Sequence, residues 1–172
     1  MSHRCFERND MKLKLISSAM LLCITSTVAY AHGDDEAAAI GKPGNDKKVT
    51  RTVSVGMSDT MRFTPSQLTV RSGETIRFVV KNTGKLRHEM VLDTEAGLKE
   101  HAALMRRVPE MEHADANAVT VEPGRSAQII WQFTKAGVVD FACLEPGHFE
   151  AGMAGKIAVR DGRRSDNEMA AR

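Results

Sequence analysis

The chain has 172 residues, of which 42% are apolar, 27% charged and 5% aromatic, a mixture long enough for one domain with its own core and incompatible with wholesale disorder. Twenty-four basic against 22 acidic residues leave a net charge of only +2. The positive side chains form no block that would follow a phosphate backbone, so no nucleic-acid partner is expected.

Residues 1–31 read as a secretory signal peptide. Lys12-Leu-Lys14 precedes an apolar run from Leu15 to Val28, and Ala29-Tyr30-Ala31 supplies the small residues of a cleavage site. The polar stretch Met1 to Asp10 leaves two readings open, translation from Met11 or a signal with a long front end. The apolar run is shorter than the roughly 20 residues that span a bilayer, so no membrane insertion is expected after cleavage. A periplasmic location follows. Cleavage after Ala31 would remove Cys5 and Cys23, leaving 141 residues with 20 basic and 20 acidic side chains and one cysteine, Cys143. A lone thiol in an oxidising compartment calls for a chemical reason.

Residues 32–48 are rich in Gly, Asp, Ala and Lys without apolar periodicity and are expected to form a flexible arm. A single domain is expected over 49–160. In it Val53 and Val55, Leu68 and Val70, Ile76, Phe78 and Val80, and Ala127, Ile129, Trp131 and Phe133 alternate with polar neighbours, the period of a strand with one wet face. Glycine-bearing turns at Gly73, Gly84, Gly124 and Gly137 separate these runs. Further short strands are expected at His88 to Leu92, Ala118 to Val121, Val138 to Cys143 and Lys156 to Val159. Seven or eight such strands imply an all-β Greek-key β-sandwich. One stretch breaks the pattern: over 94–108, Leu98, Ala102 and Met105 recur at helical spacing, Glu95 precedes Lys99 by four, and Pro109 ends the run, so a helix is expected as an insert. Residues 161–172 lack a core pattern and are expected to fray.

The chemistry is concentrated where the chain reads Phe141-Ala-Cys143-Leu-Glu-Pro146-Gly147-His148-Phe-Glu-Ala-Gly152-Met153. Taken singly, Cys143 is a small buried hydrophobe, His148 a turn residue and Met153 ordinary core. Together they place a thiolate, an imidazole and a thioether on one loop. That donor set selects copper, because sulfur stabilises Cu(I) and imidazole suits Cu(II). A second histidine is required from elsewhere, and His88, opening an apolar strand, qualifies.

At these residues the sequence resembles the cupredoxins, the blue copper proteins, whose pattern is an upstream His followed far downstream by Cys, His and Met on one loop. Cys143-x-x-Pro146-Gly147-His148 is similar to azurin-type and rusticyanin-type loops, and Phe63-Thr-Pro65 with Val70-x-x-Gly73-Glu74-x-Ile76-x-Phe78 extends the likeness over about 50–160. The resemblance implies a cupredoxin-like sandwich holding one type 1 copper ion through His88, Cys143, His148 and Met153. It also implies an electron carrier that meets transient redox partners through the apolar face around His148. Two positions depart from the family: Glu89 stands where Asn or Ser commonly braces the cysteine loop, and Leu144 where a hydroxyl residue commonly follows the cysteine.

One cysteine excludes a dinuclear thiolate-bridged centre, and the chain has no His-x-His pair for oxygen-reducing copper sites, so no enzymatic activity is expected. A monomer is expected. The inserted helix, the arm beginning at His32, and the additional His101, His113, Met57, Met61, Met90, Met105 and Met111 also resemble periplasmic copper-resistance cupredoxins. They raise the alternative of a sequestering protein with secondary copper sites.

Overall fold

The computed structural model describes residues 39–107 and 115–162. Ten strands form two five-stranded sheets: β1 (Lys42–Pro43), β2 (Arg51–Ser58), β3 (Arg62–Thr64), β4 (Gln67–Arg71), β5 (Thr75–Asn82), β6 (His88–Asp93), β7 (Ala118–Val121), β8 (Ser126–Gln132), β9 (Gly137–Ala142) and β10 (Ala154–Arg160). A helix, α1 (Glu95–Met105), lies between β6 and β7. The first sheet runs β1-β8-β5-β2-β3 and the second β4-β10-β9-β6-β7. The all-β sandwich with one inserted helix is therefore present, with ten strands rather than seven or eight. The additional pieces are β1 and β3, of two and three residues, too short to carry a readable alternation.

Between the sheets lies the main core. Strands facing solvent on one side alternate, as in β8, where Ile129 and Trp131 are buried between more accessible neighbours. β6 and the end of β9 are buried on both faces, so a polar–apolar alternation does not mark them. Met90 and Leu92 of β6, with Val139 and Phe141 of β9, point into the sandwich. Val91 and Ala142 point the other way, into a second cluster with Leu144 and with Leu98, Ala102 and Met105 of α1. The helical spacing thus buries one stripe of α1 against the outer face of the second sheet. Thr94 caps the helix by accepting the Gly97 N–H at 3.0 Å. The helix ends at Met105 with Arg106 as its cap, short of the expected residue 108, which lies outside the described residues together with Pro109.

The expected flexible arm is corrected over its second half. Residues 39–48 are tied to the sandwich: β1 pairs with β8, Ile40 is buried, and the Trp131 Nε1–H donates to the Ile40 carbonyl at 2.7 Å. Asn45 accepts the Lys47 N–H and caps a 3-10 turn over Asp46–Lys48. At Gly41, with φ +111, a Cβ would collide with the Gln132 carbonyl oxygen, so glycine lets the chain cross Trp131 closely. Composition concealed this because the anchoring partner is about ninety residues downstream. The expected signal peptide, residues 32–38 of the arm, and residues 163–172 of the tail lie outside the described residues. Among the described residues, no helix is long and apolar enough to cross a membrane.

Removing the indole donor should release this segment. Trp131→Phe leaves the buried Ile40 carbonyl without its partner and should cost about 1–2 kcal/mol of stability. Thermal unfolding should show a lowered Tm, and amide exchange over residues 40–48 should accelerate; unchanged exchange there would mean that the strand pairing alone holds the segment.

Candidate metal centre

Three loops meet at one end of the sandwich. His88 is the first residue of β6, directly after the 83–87 turn, and Cys143 directly follows β9. His148 and Met153 lie on the loop from β9 to β10. That loop closes on itself through short turns: His148 N–H donates to Glu145 O at 3.0 Å, Met153 N–H to His148 O at 3.0 Å, and Cys143 N–H to Met153 O at 3.1 Å. This folding brings Met153 alongside Cys143.

The side chains of His88 and His148 converge on the sulfur. The two Nδ1 atoms are 3.2 Å apart, and Cys143 Sγ lies 3.3 Å from His148 Nδ1 and 3.9 Å from His88 Nδ1. The ligand atoms of all three residues lie within 4.8 Å of one another, the one such group among the described residues. His88, Cys143 and Met153 are fully buried, whereas His148 keeps part of its ring at the surface. The four residues singled out from the sequence are thus brought to one place. His101 is not; it lies on α1, outside this group. Met57 and Met90 are fully buried in the sandwich core and Met105 is packed under α1. His32, Met111 and His113 lie outside the described residues.

Electrostatics fit the donor set to a cation. Burial pushes the Cys143 thiol up to about 12, against the donated Glu89 N–H at 3.4 Å, which favours the thiolate. Burial first, and then the facing His88 ring, hold His148 below the ordinary imidazole value, so its nitrogen is a free lone pair at neutral pH. A sulfur and two imidazole nitrogens facing one another in a dry space are poorly matched as hydrogen-bond partners and well matched as ligands of a soft or borderline metal ion. A metal there displaces the thiol proton.

Supporting groups surround the ligands. Glu89 performs the bracing expected of Asn or Ser: its Oε1 accepts the Leu144 N–H at 2.8 Å, and its backbone N–H donates to the sulfur. Loss of solvent on burial pushes the Glu89 carboxyl up to about 7. Three arginines tie down the ligand loop: Arg62 donates to Ala151 O at 2.9 Å, Arg87 pairs with Glu145 at 2.7 Å, and Arg106 pairs with Glu150 at 2.5 Å. Asp59, from the turn between β2 and β3, contacts His88 Nε2 at 3.2 Å. Backbone N–H groups of Lys85 and Leu86 hold its carboxyl below the usual range. Sequence reasoning missed Asp59 and the arginines, because each acts from a different element and no motif joins them.

The sequence pattern of copper-binding proteins of the plastocyanin/azurin family matches residues 49–160. The chain belongs to this copper-binding family. Among its relatives is the copper-resistant cuproprotein CopI of Rubrivivax gelatinosus, 58% identical over 135 residues, covering 78% of this chain and 82% of the relative. The CopI of Pseudomonas aeruginosa is 35% identical and covers 90% of this chain and 99% of the relative. Auracyanin B matches in fold with a TM-score of 0.58 at 19% identity, over 69% of this chain and 95% of that structure. Copper is accordingly the cofactor of this family member, and His88, Cys143, His148 and Met153 are the residues that fit it.

Two measurements probe this family member's site. Cys143→Ser should abolish the intense visible thiolate-to-copper absorption, because a hydroxyl is a poor ligand for Cu(I); a retained band would exclude Cys143 as a ligand. In the copper-free protein, Glu89 should make stability fall as pH rises. Its folded pKa of about 7 exceeds the ordinary 4.5, so between those values the folded state keeps a proton that the unfolded chain has lost. The loss across the window is about 3 kcal/mol. Glu89→Gln should flatten that dependence in denaturant titrations from pH 4 to 8, and an unaltered slope would assign it to another group.

Proposed function

We propose that the protein is a periplasmic single-electron carrier with one type 1 copper ion, working as a monomer in the setting of copper tolerance. The observation that carries this reading is the unequal burial of the ligands. His88, Cys143 and Met153 are sealed from solvent, whereas the His148 ring reaches the surface from a loop whose Gly147, Ala151 and Gly152 are exposed. Bound copper supplies a one-electron couple between Cu(I) and Cu(II).

The protein contributes a rigid, dry cage and an exit for the electron. The arginine ties to Ala151, Glu145 and Glu150 restrain the loop, and a restrained loop would limit the rearrangement of its ligands when the bound copper changed oxidation state. His148 offers a short covalent path from the centre to the surface. Beside it the exposed Gly147, Ala151 and Gly152 provide a small, uncharged face for transient docking. Balanced charge on a chain cleaved after Ala31 gives little long-range steering, which suits brief apolar contact. With His88, Cys143 and Met153 sealed from solvent, the centre offers little room for a substrate, in keeping with a protein that acts without turnover of its own.

The name shared by the relatives favours a second reading, in which copper binding itself protects the cell. Equilibrium dialysis separates the two. One tightly held copper per chain with fast self-exchange, and no oxygen consumption when Cu(I) is supplied, is the expected result. Several coppers per chain, lost when His32 and Met61 are replaced, would make sequestration the main role.

A further inference from the structure

Asp59 sits on the three-residue loop that joins β2 to β3, where Ser58 pairs with Arg62 and Met61 takes the left-handed conformation with φ 56. Its side chain is 36% exposed, yet both carboxylate oxygens are engaged. Oδ2 accepts the Lys85 N–H at 2.7 Å, while Oδ1 accepts the Leu86 N–H at 3.2 Å and lies 3.2 Å from His88 Nε2. The turn it grips is shaped for it: at Gly84 a Cβ would collide with the Asp59 carboxylate. A surface aspartate is therefore seated in a built cradle, with a fully buried imidazole as its third partner.

The consequence for His88 follows from its two nitrogens. A carboxylate oxygen only accepts, so the nitrogen facing it carries the hydrogen, and Nδ1, which faces Cys143 and His148, is left as a bare lone pair. The His88 side chain has no exposure to solvent, so water is poorly placed to replace Asp59. A carboxylate hydrogen-bonded to the far nitrogen of a ligating imidazole also raises its donor strength. A harder donor and a nearby negative charge both favour the more highly charged metal state.

We propose that Asp59 is a positioning residue of the copper centre, holding His88 in the Nε2–H tautomer and favouring Cu(II) over Cu(I), so that it lowers the reduction potential. This inference rests on the copper centre formed by His88, Cys143 and His148, and goes beyond it by assigning a role to a residue outside the ligand set.

The test compares Asp59→Asn with the wild-type protein, both copper-loaded. Cu(II) and Cu(I) affinities are measured by chelator competition, and the potential by redox titration. The variant should retain the thiolate band and lose Cu(II) affinity by about tenfold more than Cu(I) affinity. That ratio corresponds to a potential raised by about 59 mV for one electron. Equal weakening of both states, with a lowered Tm and an unmoved potential, would reduce Asp59 to a structural turn residue and overturn the proposal. Should the variant not fold, the wild type decides: nitrogen-proton NMR of the copper-free protein should show a slowly exchanging His88 Nε2 proton, and a His88 protonated at Nδ1 would overturn the assignment. Failure of the copper centre itself would look different, because wild-type protein would then show no thiolate band.

Discussion

A thiol and two imidazoles whose donor atoms lie within 4.8 Å of one another, in a space largely closed to water, do not make an economical packing of a protein interior. Burial pushes the thiol up to about 12, and burial together with the facing His88 ring opposes protonation of His148. Buried polar atoms without good partners cost free energy. A cation that accepts all three lone pairs turns that cost into binding, and the other features of this end of the sandwich can be understood as holding the donors together while it does so.

The architecture holds them by register. β6 and β9 are antiparallel neighbours, with Leu92 opposite Phe141, so the start of one lies beside the end of the other. That juxtaposition sets His88 against Cys143 and lets Glu89 reach both the sulfur and the backbone that follows it. Helix α1 closes the opposite face, packing Leu98 and Met105 against Leu144, the residue next to the cysteine. It therefore excludes water from behind the ligand loop, and Arg106 at its end pins Glu150 within that loop. An insert that lengthens the chain between two ligands thus also stiffens the site.

Much of this was legible in the primary structure. Alternation located four strands with one face in the core, four further short strands were expected between the turns, and the loop from Cys143 to Met153 displayed three ligands within a single turn-rich segment. The distant His88 was identifiable because it begins an apolar strand just after a turn. Illegible were the elements whose stability derives from remote partners. β1 exists because Trp131 and Gln132 receive it, and its own composition resembles a linker. The methionines that suggested extra copper sites prove to be core side chains at positions 57, 90 and 105, since a thioether serves equally well as filling or as ligand.

The order of residues along the chain was sufficient to establish the copper ligand types, the sandwich class and the helical insert, because these depend on local spacing and on side-chain chemistry. Only the tertiary structure decided which groups support the ligands. Asp59 lies 29 positions from His88, and Arg62 lies 89 positions from Ala151. Such contacts arise where separate turns are carried to the same end of two packed sheets, and no periodicity in the sequence encodes a meeting between turns.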